Sequence, residues 1–218
     1  MAGQMSLTYE AYQRLRADLL ACRLQPGAVL RISEIAGRMS VSPGVVREAL
    51  SRLTADGLVI AEPQRGFRVT PISEADLEDV TVARCEIEIQ CARRALAAGD
   101  VDWETGVVSA LHRLSRTPFH AHDDPIRAAD EFATAHAGFH DALVAACDNR
   151  WFLKLREILY VQSERYRRLS VPLTNFDRDA LQEHRDIADA ALARDAVRLA
   201  ALLTDHLQTT TRILLDSG

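Results

Sequence analysis

Lysine is almost missing from this chain: Lys154 stands alone against 25 arginines in 218 residues. Arginine's planar fork suits phosphate and guanine, but so many of them also fit a GC-rich coding bias, so only position can separate the two. No apolar run approaches the roughly 20 residues that cross a bilayer. The first residues also lack the apolar core of a secretory signal, so the expectation is a cytoplasmic protein with no membrane partner. The four cysteines, Cys22, Cys85, Cys91 and Cys147, form no CxxC pair, which argues against a thiolate zinc knuckle and for isolated buried thiols. After Ser73 there is hardly a strand signal, no internal repeat and no low-complexity tract, so that region reads as an all-α bundle and not a solenoid.

What is present divides unevenly. Residues 1–72 carry nine arginines and six carboxylates, a net charge of +3, whereas residues 73–218 carry 17 basic and 25 acidic side chains, net −8. The overall charge of −5 therefore belongs to the second part and does not argue against a polyanionic partner for the first. A length of 218 residues allows two modest domains, each with its own core.

In the first part, Tyr9, Tyr12, Leu15, Leu19 and Leu20 recur at helical spacing after a candidate cap at Thr8, and Pro26-Gly27 stops that helix. Ser33 is a candidate cap for a short helix with Ile35, Ala36 and Met39 inward. Ser42 is one for a longer helix burying Val46, Ala49, Leu50 and Leu53. Gly57 ends that helix, and LVIAEP, QRG and FRVTP read as strand, turn and strand. This order describes a winged helix-turn-helix over residues 7–71, with double-stranded DNA as the first partner to consider.

In such a fold the first turns of the second helix of the motif enter the major groove, which makes Ser42, Gly44, Arg47, Ser51 and Arg52 the candidate contacts. Arg47 can fork onto a guanine edge or clamp a phosphate; the alternative is an ion pair with Glu48 or Glu34. Arg65 and Gly66 form the wing tip with Arg68 just behind, and Arg65 is either a backbone or minor-groove contact or a solvated turn residue. The stretch resembles the GntR family of bacterial transcription regulators, on Val41, Ser42, Val46, Arg47, Glu48, Ala49, Leu50, Leu53, Gly57, Leu58, Val59, Arg65, Gly66, Phe67 and Val69. It departs from the family pattern at Pro43, where a DNA-contacting arginine is usual, and at Gly44-Val45.

The second part, residues 73–216, reads as six helices. The first runs from a Ser73/Asp76 capping pair to Gly99 and the second from Asp100 to about Ser115. The other four cover about 126–147, 150–169, 174–193 and 195–215. His136 and His140 are four apart, hence on one helix face, a spacing suited to two ligands of one metal. If the last two helices turn back near Arg194-Asp195, His184 lies ten residues before the turn and His206 eleven after it, at the same height. Imidazole donors favour zinc, nickel, copper or iron, with zinc first. His112, His120 and His122 have no such relation, and the last two fall in a proline-flanked loop.

This region resembles the FCD ligand-binding domain of the FadR branch of GntR regulators. The resemblance is carried by Arg84 with Ile87 and Glu88, by Phe139-His140, by Asn149 after Ala-Cys-Asp, and by EHRDIADAALARDA followed by His206. Six helices in place of seven bring it nearer the VanR-like subgroup. The resemblance implies a divalent metal held by an Asp and three His with a small organic acid completing the coordination; here His136 stands where the Asp is usual. Arg84 would clamp the carboxylate effector if it faces the cavity, and otherwise forms a structural ion pair. The expected protein is a homodimeric, metabolite-responsive regulator, most simply a repressor, with His136, His140, His184 and His206 on the metal. A metal-dependent enzyme is the rival, but HAGFH has Ala137 where HExxH has its glutamate, so no enzymatic activity is expected. A regulator that binds its effector through the histidines without metal is the third reading.

Overall fold

The first helix, α1 (Leu7–Leu20), is capped by Ser6, whose hydroxyl oxygen accepts the Tyr9 amide at 3.2 Å. Thr8, the expected cap, lies inside the helix and donates to Glu48 instead. Ser6 takes the role because its backbone is extended (φ −66°, ψ 142°), the conformation that aims a cap oxygen at the free amides. The computed structural model describes residues 6–118, 125–170 and 178–216. The chain divides into two compact units, Met1–Glu78 with Val161–Pro172, and Asp79–Tyr160 with Leu173–Gly218.

In the first unit, α1 is followed by β1 (Val29–Leu30), α2 (Ile32–Met39), α3 (Pro43–Ala55), β2 (Val59–Glu62) and β3 (Gly66–Val69). The sheet order is β1-β3-β2, all antiparallel, with Val29 opposite Arg68 and Ile60 opposite Arg68 on the other edge. Strand β1 is too short to show alternation, so periodicity could not reveal it, and it also moves the next cap. Pairing holds the chain extended through Leu30, Arg31 takes the last extended position, and α2 starts at Ile32 with Ser33 already inside its first turn. Ser33 is therefore not the cap. Ser42 does cap α3, accepting the Val45 amide at 3.4 Å, with Pro43 in the first helical position where its missing N–H costs nothing. Gly57 leaves α3 at φ +73°, a left-handed turn that a Cβ would strain.

The core of this unit joins Leu15 and Leu19 of α1, Leu50 and Leu53 of α3, and Leu58 and Val69 of the sheet. Each such leucine contributes roughly 1.5–3 kcal/mol by leaving water. Tyr9, expected inward, is 40% exposed, and Ala11 fills the inner position. Val161, distant in sequence, belongs to the same core. Beside it the Gln162 amide donates to Asp56 O at 2.8 Å and the buried Arg165 guanidinium donates to the carbonyls of Thr70 and Pro71. The reading head is thus completed by a segment that follows it by about ninety residues in the chain.

Six helices follow: α4 (Glu74–Ala98), α5 (Val101–Arg116), α6 (Pro125–Val144), α7 (Arg150–Ser170), α8 (Ala180–Leu192) and α9 (Ala196–Leu215). Their starts are set by short polar caps. Asp100 accepts the Trp103 amide, Asn149 accepts those of Trp151 and Phe152, Asp179 that of Gln182 and Asp195 that of Arg198. The cap at Asp179 places the start of α8 at Ala180, later than the expected residue 174. Gly99 permits the tight α4–α5 corner, since a Cβ there would fall 2.5 Å from the Trp103 ring and 2.8 Å from Ala95 O. Trp103, Val107, Phe139, Leu143, Ile187 and Leu199 form the core of the second unit.

Two pieces of this packing position the histidines. Helix α6 carries His136 and His140 on its inner face, and α8 and α9 form an antiparallel hairpin closed by Arg194 at φ +57°. The Arg194 guanidinium lies over the Trp103 ring at 4.7 Å and donates to Leu96 O and Gly99 O, which fixes the hairpin turn to the α4–α5 corner. All four cysteines are buried and free. Among the described residues no helix is long and apolar enough to cross a membrane.

Candidate functional site

Helical pitch brings the four histidines together. The ring centroids of His136 and His140 are 4.6 Å apart, as are those of His184 and His206, and every cross pair lies between 5.1 and 6.1 Å. One ligand nitrogen from each ring lies within 4.8 Å of the other three, and all four residues are buried. Nitrogens bound at about 2.0–2.1 Å to a tetrahedral ion lie about 3.4 Å apart. The spacing of this set is on the scale of a single-ion site.

The ring edges away from the centre are held. His184 Nδ1 lies 2.5 Å from Ala180 O, and His206 Nδ1 lies 2.7 Å from Glu183 Oε2. Each contact takes the Nδ1 hydrogen and leaves Nε2 with a lone pair to offer. His140 Nε2 and His184 Nε2 are buried with no hydrogen-bond partner among the described residues. A buried ring nitrogen without a hydrogen-bond partner is costly in a finished core, whichever tautomer it carries. The donor chemistry therefore fits a divalent transition metal.

Electrostatics agree. Burial holds His140 and His206 below the ordinary histidine range and takes His184 down to about 3, which favours the neutral form of these three rings, the form that binds metal. Burial alone would raise the Glu183 carboxyl, but hydrogen bonds from Arg178 and His206 outweigh it and hold that group at about 2. Arg178 grips Glu183 with both arms, at 2.7 Å each, giving a fixed chain of Arg178, Glu183 and His206.

Arg84 lies 6% exposed on α4 and donates to Glu88 Oε1 at 3.3 Å, so the ion pair considered for it is present. Glu88 is shared: Arg156 of α7 donates to its other oxygen at 2.7 Å and also to Asp141 at 2.7 Å. Both guanidiniums pack on the Tyr160 ring. Arg156, Glu183 and Arg178 do not stand out in the sequence. The signal for Arg156 is an arginine placed four after Phe152 and four before Tyr160, inside an otherwise inward stripe; Glu183 directly precedes a candidate ligand.

In the first unit, Ser42, Gly44, Arg47, Ser51 and Arg52 of α3 are all exposed. Arg47 makes no ion pair among the described residues, because Glu48 is taken by Arg52 at 2.7 Å and Glu34 by Arg31 at 2.9 Å. The Ser51 hydroxyl donates to Arg47 O, which leaves its oxygen as an acceptor. Arg65 is exposed at the turn between β2 and β3, next to Gly66 at φ +95°. Arg68 behaves differently: it is braced by Glu62 and Gly27 O and so stiffens the hairpin from behind. His112 is exposed on α5 and is not one of the clustered histidines, and His120 and His122 lie outside the described residues.

Two family models match the chain: bacterial regulatory proteins, gntR family, over residues 7–69, and the FCD domain over residues 79–209. An uncharacterized HTH-type transcriptional regulator, BphR of Paraburkholderia xenovorans (strain LB400), is 40% identical over 218 residues, which cover 100% of this chain and 89% of that one. The HTH-type transcriptional repressor GlaR of Escherichia coli (strain K12) is 34% identical over 209 residues, 94% of each chain. Among solved structures, E. coli McbR/YncC has a TM-score of 0.81 at 20% identity, over 98% of this chain and 99% of that one, a likeness of fold.

Proposed function

Because the chain belongs to the GntR family of bacterial regulatory proteins and carries an FCD domain, we propose that it is a homodimeric, cytoplasmic repressor whose operator affinity is set by a small carboxylate effector bound beside a divalent transition metal. The protein is a transcriptional regulator and not an enzyme, as are BphR and GlaR. Residues 7–71 read double-stranded DNA, and residues 73–216 hold metal and effector and form the dimer. Arg47 reads a base edge or phosphate from α3, with Ser42, Gly44, Ser51 and Arg52 around it, and Arg65 and Gly66 approach the backbone from the wing. The repressor sign is supported by the likeness to GlaR, a repressor.

His136, His140, His184 and His206 hold the metal. The reading is carried by one observation: four buried imidazoles with ligand atoms within 4.8 Å of one another, two of them with an Nε2 that meets no hydrogen-bond partner among the described residues. Imidazole donors favour zinc, then nickel, copper or iron, and the bound ion supplies a Lewis-acidic anchor for a carboxylate oxygen. Glu183, itself fixed by Arg178, keeps His206 in the tautomer that offers Nε2. Glu183→Gln should raise the metal dissociation constant about tenfold in competition with a chromophoric chelator. An unchanged constant would remove Glu183 from this role.

Native mass spectrometry with elemental analysis of the purified full chain tests the whole reading at once. A dimer with one transition-metal ion per chain is the expected result. A metal-free monomer that accepts no added zinc would contradict it.

A further inference from the structure

On α7, Trp151, Leu155 and Ile158 follow one another at steps of four and three residues, hence on one helix face, and are 62%, 43% and 49% exposed. Apolar side chains of this size scattered singly need no explanation, but a stripe of them marks a surface that another molecule covers. The Lys154 ammonium lies 5.1 Å from the centroid of the Trp151 ring, so a basic group stands beside the stripe at that end.

Helix α4 runs antiparallel beside α7. Arg84 packs on the Tyr160 ring, Glu88 accepts from Arg156, and Arg94 packs on the Phe152 ring, so residue numbers rise along one helix as they fall along the other. All of these residues belong to the second unit. This register sets Arg93 level with Trp151, Gln90 with Leu155 and Glu86 with Ile158. The exposed charges then sort by position. The Trp151 end carries Arg93, Arg94, Arg150 and Lys154, of which Arg94 is met by Asp148 at 2.8 Å. The Ile158 end carries Glu86 and Glu157, with Asp79 further along α4, and the arginines of that stretch, Arg84 and Arg156, are buried. Arg93, Arg150, Glu86 and Glu157 make no ion pair among the described residues. The face is an apolar centre between a basic end and an acidic end.

We infer that two copies of the chain meet on this face, each helix stacked antiparallel on its own copy about a two-fold axis that crosses α4 and α7 near Gln90 and Leu155. A two-fold joins a patch to itself, so one half of the patch must complement the other. Reversal about this axis sets Trp151 of one protomer against Ile158 of the other and Arg93 against Glu86, and each contact is made twice. A membrane surface would call for basic groups along the whole polar edge, and the acidic end does not supply them. The inference rests on the proposed function in taking the chain as a homodimer, and it uses neither metal nor effector.

Sedimentation of the full chain, labelled at its N-terminus with a fluorophore and followed from nanomolar to micromolar concentration, tests this. Wild type should dimerise, with a dissociation constant that rises with salt, since opposite charges meet at both ends. Leu155→Glu should raise the constant at least roughly a hundredfold, because the two-fold counts each loss twice. Glu86→Arg should raise it about tenfold by setting like charges opposite each other. Glu86→Arg combined with Arg93→Glu should return it to within about threefold of wild type. Leu155 and Glu86 are exposed, so the circular dichroism of the variants should match that of wild type. A dimer whose constant is unmoved by Leu155→Glu or by Glu86→Arg would overturn the inference by placing the contact elsewhere. So would a Glu86→Arg loss that the double variant does not restore. These outcomes leave the homodimer standing. If the wild-type chain stays monomeric throughout, the homodimer reading fails and the inference falls with it.

Discussion

His140→Ala protein should bind zinc about a hundredfold to a thousandfold more weakly than wild type. Four-ligand zinc sites are worth about 10–16 kcal/mol, so one of four ligands carries roughly a quarter of that. His140 is the informative position because its ring is 1% exposed and its Nε2 meets no other partner, so little but a ligand role accounts for it. The substitution also leaves a small cavity against Phe139 and His184, whose rings lie 5.5 Å from His140. Stability alone would therefore confuse the two effects. The discriminating readout is the increment in melting temperature on adding zinc to chelator-treated protein. Wild type should gain stability as binding shifts the equilibrium, and at a zinc concentration that saturates it the variant should gain far less. An equal increment in both proteins would take His140 out of the centre.

Arg47→Ala should weaken operator binding by about 1–3 kcal/mol. Its folded stability should be unchanged, because Arg47 is exposed and makes no ion pair among the described residues. Two outcomes of a salt series separate its possible contacts. A base contact relaxes discrimination at one operator position; a phosphate contact weakens all sequences alike and lowers the salt slope by about one. Arg52→Ala should cost less, since that guanidinium is already engaged with Glu48 at 2.7 Å. Unchanged affinity of the Arg47 variant in a gel shift, with the fold intact, would remove it from the reading surface.

The parts of the fold visible in the sequence were those governed by long repeats of one period. Helix α3 shows Val46, Ala49, Leu50 and Leu53 at helical spacing and all four are buried. The meeting of His184 with His206 follows from counting residues on either side of the Arg194 turn, because rise per residue is nearly constant. Features decided by a single hydrogen bond were not visible. Ser6, Thr8 and Ser33 are all acceptable caps by type, and the choice depends on where the backbone is extended, which for α2 is set by pairing of β1 with β3. Arg68 and Arg65 are three residues apart in one hairpin, yet one is a brace and the other exposed. Strand alternation alone does not tell which face meets Gly27 and Glu62.

The same limit applied to the centre. The four clustered histidines could be selected by spacing, whereas Glu183 and Arg156 make their contacts with partners from other helices or from a preceding loop, contacts that only the packed bundle creates. Arg84 shows the two cases combined, because its expected ion pair exists and yet runs to a carboxylate that a second arginine also uses.

X-ray absorption at the metal edge of the zinc-loaded chain addresses the convergence of the imidazoles most directly. The expected spectrum has nitrogen or oxygen scatterers at about 2.0–2.1 Å, the outer-shell scattering of several imidazole rings, and a loss of part of that signal in His140→Ala. A spectrum with sulfur neighbours, or one without imidazole scattering, would contradict the four-histidine centre.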